Sequence, residues 1–130
     1  MTEAGYKRML LWATIWNLAG GGMVPVATGW IFRTAGLPVP FPPAYYYSWI
    51  ALFLTFGLGY YFAYRDMYRN QDIILLGAIG KSGFAAVFIY NFIAYPRQVP
   101  SFFWIPVIGD LVFVVLFVMF LRFVNRSKTK

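Results

Sequence analysis

Four long apolar stretches constrain this chain more than any other feature of its sequence. Each holds about 20 residues, the length that a helix needs to cross about 30 Å of hydrocarbon. A transmembrane β-barrel would instead show alternating segments of about 10 residues. The sequence therefore predicts an all-α polytopic membrane protein, a bundle of four transmembrane helices in a single membrane domain over residues 1–130. The predicted helices cover approximately residues 9–32, 44–64, 73–95 and 102–121.

The side-chain composition supports a membrane protein and excludes several classes of chemistry. Hydrophobic residues make up 61% of the chain and charged residues only 12%, whereas a soluble domain has about 25% charged residues. The absence of Cys and His excludes disulfides and a Ser-His-Asp triad, and it removes the usual ligands of haem, zinc and copper. Four acidic residues are too few for a carboxylate metal cage unless subunits pool their ligands. We therefore expect no metal or cofactor, and we assign no catalytic residue.

The distribution of Lys and Arg predicts the orientation of the chain in the membrane. Four spans place both termini and the loop 65–72 on one side, which carries eight Lys and Arg residues, whereas the other side carries only Arg33 and Arg97. The positive-inside rule assigns the basic side to the cytoplasm, in a multi-pass protein of the cell inner membrane. The net charge of +7 then reflects topology and contact with anionic membrane lipids, not nucleic acid. The eight residues are Lys7, Arg8, Arg65, Arg69, Arg122, Arg126, Lys128 and Lys130.

The ends of the first apolar stretch carry two further signals. Lys7 and Arg8 precede it, as basic residues precede the core of a signal peptide, but the apolar run continues through Phe32. This length favours a retained span over a cleaved leader. The following segment, 33–43, contains four prolines and is predicted to be extended and to cap the outer face of the bundle.

Four polar residues interrupt the apolar stretches near the middle of the membrane. Lys81 lies about 13 Å from the cytoplasmic boundary and Asp110 about 12 Å from the outer one, so their levels differ by about 5 Å. An unpaired charge at this depth costs about 3 kcal/mol or more. We therefore predict an ion pair between Lys81 and Asp110 on adjacent helices. Asn17 and Thr55 lie at similar depth, and all four residues are candidates for a ligand or ion-pair site.

Small residues accompany these polar groups at intervals of four. Ala13 and Gly21 flank Asn17 in this way, Gly59 follows Thr55, and Gly77 and Ala85 flank Lys81. Such stripes let transmembrane helices approach closely, so we expect the polar groups to face inward. Four interpretations stay open for this layer. The favoured one is an ion pair that fixes helix register, and the others are a site for a lipid-like or quinone-like ligand, a proton or ion relay, and a catalytic role for the Lys81 amine.

Short motifs in the second to fourth apolar stretches resemble a family. The sequence Gly57-Leu58-Gly59-Tyr60 is followed by Arg65-Asp66, Gly80-Lys81 and Gly109-Asp110. This order resembles that of small, largely uncharacterised bacterial inner-membrane proteins with four helices and a DoxX-like layout, in which the last motif is Asn-Asp. The resemblance extends over about residues 49–114, and this chain has Gly109 in place of Asn. It implies a four-helix inner-membrane protein but no particular activity, since proteins of DoxX-like layout are accessory or chaperone-like subunits or have no assigned role.

These observations favour a non-enzymatic accessory or assembly-type subunit that contains the buried Lys81–Asp110 pair. The sequence leaves open whether its interior holds a lipid-like ligand. The expected partners are membrane lipids and either a larger membrane complex or further copies of the chain. One alternative function is a small ion-coupled transporter that uses the pair for coupling. A third is a membrane enzyme that acts on a lipid or an isoprenoid.

Overall fold

The structure, a computed structural model, describes residues 1–97, 99 and 101–128. Within this part of the chain every regular element is helical and no strand occurs, so the predicted all-α class is confirmed. Lys130, which contributes to the predicted orientation, lies outside the described residues. The elements are α1 (Glu3–Thr34), α2 (Pro43–Arg65), α3 (Gln71–Ala94), a single 3-10 turn (Ser101–Phe103) and α4 (Trp104–Lys128).

Among the described residues, three helices are long and apolar enough to cross a membrane, namely α1, α3 and α4. They indicate a membrane protein with transmembrane helices. The helix α2 is uncharged over residues 44–64, but its six tyrosines lower its hydropathy. A fourth crossing by α2, and with it the four-span bundle, stays a prediction.

The chain divides into two compact units, Met1–Met67 and Tyr68–Lys130. The first contains α1 and α2 and is named hairpin 1. The second contains α3 and α4 and is named hairpin 2. Each hairpin is described by itself, and the grouping of all four helices in one membrane domain stays a prediction.

In hairpin 1 the two helices run antiparallel and approach closely at glycines. A Cβ atom on Gly21 would lie 2.7 Å from Leu54 Cδ2, and a Cβ atom on Gly57 would lie 2.8 Å from Leu18 Cδ2. Because side chains do not approach so closely, these two positions favour glycine. The buried residues of α1 are spaced by three, four or seven, as expected for one face of a helix. They are Tyr6, Met9, Leu10, Ala13, Thr14, Asn17, Gly21 and Thr28.

The helix α1 begins at Glu3, earlier than the predicted residue 9, because its first turn is capped. The Thr2 Oγ1 atom accepts a hydrogen bond from the Gly5 backbone N–H at 3.2 Å. The negative charge of Glu3 also complements the positive end of the helix dipole. Helical structure therefore extends beyond the apolar stretch that marks the membrane span.

A glycine determines where α1 ends. Gly36 has a φ of 68°, a left-handed conformation that side chains with a Cβ disfavour. The backbone N–H of Leu37 donates to the Phe32 carbonyl at 2.9 Å, and that of Gly36 donates to the Arg33 carbonyl at 3.1 Å. These two bonds form a Schellman motif. The proline-containing segment that follows is not helical until Pro43, as predicted.

In hairpin 2, α3 and α4 also run antiparallel, since the end of α3 meets the beginning of α4. The Phe92 ring stacks on Trp104 with centroids 4.3 Å apart, and the Phe88 and Phe103 centroids lie 5.6 Å apart. Closer to the middle, the buried face of α3 includes small residues, while that of α4 includes larger ones. The buried residues are Ile74, Gly77, Ala78, Lys81 and Ala85 of α3, and Val107, Asp110, Phe117, Phe120 and Val124 of α4.

Candidate functional site

The structure brings Lys81 and Asp110 together inside hairpin 2. The Lys81 Nζ atom donates a hydrogen bond to Asp110 Oδ1, and the two atoms are 2.5 Å apart. Both side chains are only 5% exposed. The predicted ion pair between adjacent helices is therefore confirmed.

Small residues on α3 allow these two charged groups to meet. Gly77 and Ala85 lie one turn before and one turn after Lys81, and both are buried. Gly77 has no side chain and Ala85 has only a methyl group, so α4 can approach while the longer Lys81 side chain extends to the carboxylate. On α4 the buried Val107 lies one turn before Asp110. Both charged side chains are thus buried beside small and apolar residues, and their ion pair stabilises both charges.

Phe113 is a third member of this site and was not among the predicted residues. The Lys81 Nζ atom lies 5.5 Å from the centroid of the Phe113 ring. This distance is within the range of a cation–π interaction. Phe113 follows Asp110 by three residues, so both lie on one face of α4. The spacing of three residues between Asp110 and Phe113 could have indicated from the sequence that the ring lies near the ion pair.

Asn17 makes its contact in hairpin 1. Its side chain is 1% exposed, and Nδ2 donates to the backbone carbonyl of Phe53 on α2 at 3.1 Å. Gly57 makes room for this contact, since a Cβ atom there would lie 3.1 Å from Asn17 Cβ. Asn17 therefore joins α1 to α2, and a polar layer shared with Lys81 and Asp110 stays a prediction.

The expectation that Thr55 faces inward is wrong. Thr55 is exposed, and its hydroxyl donates to the Ala51 carbonyl one turn earlier at 2.8 Å. A threonine can satisfy its hydroxyl within its own helix in this way, so polarity alone does not direct it to an interface. Two other threonines, Thr14 and Thr28, are buried instead. Each lies seven residues from Gly21, and this spacing places all three on one face of α1, which the sequence analysis did not use.

The described residues contain no group of three or more acidic, His or Cys side chains that could hold a metal ion. Within the same part of the chain, every buried side-chain nitrogen and oxygen has a hydrogen-bond partner. The site in hairpin 2 is thus a satisfied arrangement of an ammonium group, a carboxylate and an aromatic ring. Chemically, it can fix two helices in register, exchange a proton, or hold a cation.

The fold and this site define a class, an all-α membrane protein with a buried Lys–Asp pair between antiparallel helices. Comparisons of the chain with protein-family models, curated proteins and solved structures found no match. The DoxX-like resemblance accordingly stays a prediction from the motifs.

Proposed function

We propose that the protein is a non-enzymatic accessory or assembly-type subunit of the cell inner membrane, in which the Lys81–Asp110 pair fixes α3 against α4. The buried ion pair is the observation that carries this proposal. Its two atoms are 2.5 Å apart and the side chains are 5% exposed. A pair so enclosed restricts the sliding of one helix along the other, because any other register separates two charges in an apolar environment.

We propose further that α2 crosses the membrane as the fourth span and that both termini are cytoplasmic. The absence of charge over residues 44–64 and the asymmetry of eight against two basic residues support this topology. The tyrosines of α2 lie near its two ends, where amphipathic rings favour the membrane interface.

The proposed partners are membrane lipids and either a larger membrane complex or further copies of the chain. Large apolar side chains on the outside of the helices support contact with acyl chains or with partner helices. Val26 on α1 is 91% exposed and Ile93 on α3 is 76% exposed. The DoxX-like resemblance is consistent with an accessory subunit that has no chemistry of its own.

Purification under native conditions tests this function. A tagged chain is extracted in a mild detergent, and the proteins and lipids that co-purify with it are identified by mass spectrometry. We expect the same membrane proteins in constant proportion to the chain. A Lys7→Ala variant serves as the control, because Lys7 is exposed on α1 and lies outside the ion pair. A chain that purifies without any other protein and shows no self-association would contradict the accessory role.

The ion pair also favours a second function, a small ion-coupled transporter. Ionisable residues inside a membrane frequently belong to proton or ion pathways. Liposomes that contain the purified protein would then show proton-dependent flux that Asp110→Asn abolishes. The third function, a lipid-modifying or isoprenoid-modifying enzyme, needs an accessible reactive group, whereas the Lys81 amine is buried.

A further inference from the structure

Pro25 interrupts the backbone hydrogen bonding of α1. It lies inside the helix, and a proline has no backbone N–H, so it cannot donate the usual helical hydrogen bond to the Gly21 carbonyl. The Thr28 hydroxyl donates to the Val24 carbonyl at 2.8 Å, and such bonds within a helix often bend it. Three consecutive glycines, at 20–22, precede these residues. Together these features make one short stretch of α1 easier to bend.

The packing of α1 differs on the two sides of Pro25. This helix, which the structure describes throughout, has eight buried residues, of which seven precede Pro25 and the eighth is Thr28. In the part before Pro25, Asn17 Nδ2 also donates to the Phe53 carbonyl of α2 at 3.1 Å. Residues 26–34 are named the distal segment. This segment can move with a smaller loss of packing than the rest of the helix.

Tyr46, near the beginning of α2, makes two contacts with the distal segment. Its hydroxyl oxygen lies 3.4 Å from Thr28 Oγ1, and its ring meets the Phe32 ring edge to face with centroids 5.6 Å apart. Thr28 lies about 6 Å from the end of the predicted span at residue 32. So close to the membrane boundary, water and lipid headgroups can solvate both hydroxyls when they separate. The cost of breaking these contacts is therefore small.

The connection between the two helices leaves the distal segment room to move. The residues 35–42 that join α1 to α2 are not helical. Eight residues of extended chain span up to about 26 Å. The beginning of α2 can therefore stay in place while the end of α1 changes its position.

We propose that Pro25 is a hinge about which the distal segment swings away from α2, and that Tyr46 is the latch that holds it closed. The distal segment is about 14 Å long, so a turn of about 20°, the size of a modest proline kink, moves Thr34 by about 5 Å. Opening separates Phe32 from Tyr46 and makes the adjoining ends of α1 and α2 accessible to membrane lipids. The proposal does not depend on the accessory role.

Distances between spin labels test the hinge. The chain has no native Cys, so one nitroxide pair is attached at Thr34→Cys and Ser48→Cys, both of which are exposed. A reference pair at the exposed Trp12→Cys and Phe62→Cys reports on the part of α1 before Pro25. Pulsed EPR spectroscopy is performed on the full chain in lipid nanodiscs. We expect two distances, up to about 5 Å apart, for the first pair and a single distance for the reference pair. Two distances in both pairs would overturn the proposal.

Substitution of Pro25 shows whether the movement depends on this residue. Pro25→Ala restores the backbone N–H, so the longer distance should be lost. The matched control is Pro106→Ala, because Pro106 lies in the first turn of α4, where no helical hydrogen bond is missing. This control should leave the distances unchanged. Persistence of the longer distance at its native fraction in Pro25→Ala would overturn the hinge.

Substitution of Tyr46 tests the latch. Tyr46→Leu removes both the hydroxyl and the ring contact, and it should raise the ratio of open to closed molecules about threefold or more. The matched control is Tyr45→Leu, since Tyr45 is 80% exposed. Phe32→Leu removes the ring contact from the other side and provides the test if the Tyr46→Leu chain does not fold. A ratio in these two variants equal to that of Tyr45→Leu would overturn the latch, and a single distance in every variant and in the native chain would overturn the hinge as well.

Discussion

Lys81 and Asp110 form a buried ion pair inside hairpin 2. Their charged atoms are 2.5 Å apart between two apolar helices. Replacing a buried pair by apolar side chains is often neutral, whereas removing one partner leaves an uncompensated charge. A variant that is apolar at both positions can therefore be stable, and its activity then shows what the pair contributes to function rather than to folding.

The single variants Lys81→Met and Asp110→Leu should each lower the free energy of unfolding by about 3–5 kcal/mol. The double variant should regain most of this loss. The measurement is a double-mutant cycle by chemical unfolding in mild detergent, with Lys7→Met as the exposed control. Two stable single variants without coupling would show that the side chains do not meet in the folded protein.

The double variant also separates the structural and functional interpretations. If it is stable and still assembles with the partners of the native chain, the pair acts as a structural lock. If it is stable but inactive, the pair is needed for ion coupling or ligand binding. Stability therefore has to be measured before activity in each variant.

Gly57 should tolerate substitution much less than Gly22, although both are helical glycines. A Cβ atom on Gly57 would lie 3.1 Å from Asn17 Cβ, whereas one on Gly22 would have no atom within 4 Å. We expect Gly57→Ala to lower the free energy of unfolding by about 1–3 kcal/mol because the two helices must separate. Gly22→Ala should raise it by up to about 1 kcal/mol through helix propensity. Equal stability of the two variants would contradict the close approach of α1 and α2.

At the level of helices, apolar stretches predict the existence of each element better than its ends. The helix α4 was expected to end near 121 and continues to Lys128. Helical hydrogen bonds need no membrane, so the helix extends past the last apolar residue.

The hairpin pairing of α3 with α4 followed from matching depths of two opposite charges. The depth of a residue in the membrane does not reveal the direction of its side chain. For this reason the exposure of Thr55 and the contact of Phe113 with Lys81 could not be predicted in the same way.

The end of α1 provides a prediction about a single backbone conformation. Gly36 has a φ of 68° and closes the Schellman motif. Gly36→Val should lower the free energy of unfolding by about 1–2 kcal/mol, because a Cβ is disfavoured in this conformation. Gly36→Asn should cost less, since Asn adopts it more readily. Unfolding measurements on both variants provide the comparison, and a harmless Gly36→Val would contradict the proposed cap.

For the molecule as a whole, the path of α2 determines the topology. Hydropathy identifies α1, α3 and α4 as candidate spans among the described residues, while the distribution of basic residues favours a crossing by α2 as well. The two arguments differ because tyrosines lower hydropathy yet are favourable near membrane interfaces. A crossing by α2 places the loops on its two sides in different compartments.

Labelling of introduced cysteines tests this topology most directly. The chain has no native Cys, so Val39→Cys and Asn70→Cys each provide a single site, one before α2 and one after it. A membrane-impermeant maleimide is applied to intact spheroplasts and, separately, to inverted membrane vesicles. Our account predicts that Val39→Cys is labelled only in spheroplasts and Asn70→Cys only in inverted vesicles. Labelling of both residues from the same side would show that α2 does not cross the membrane and would contradict the four-span architecture.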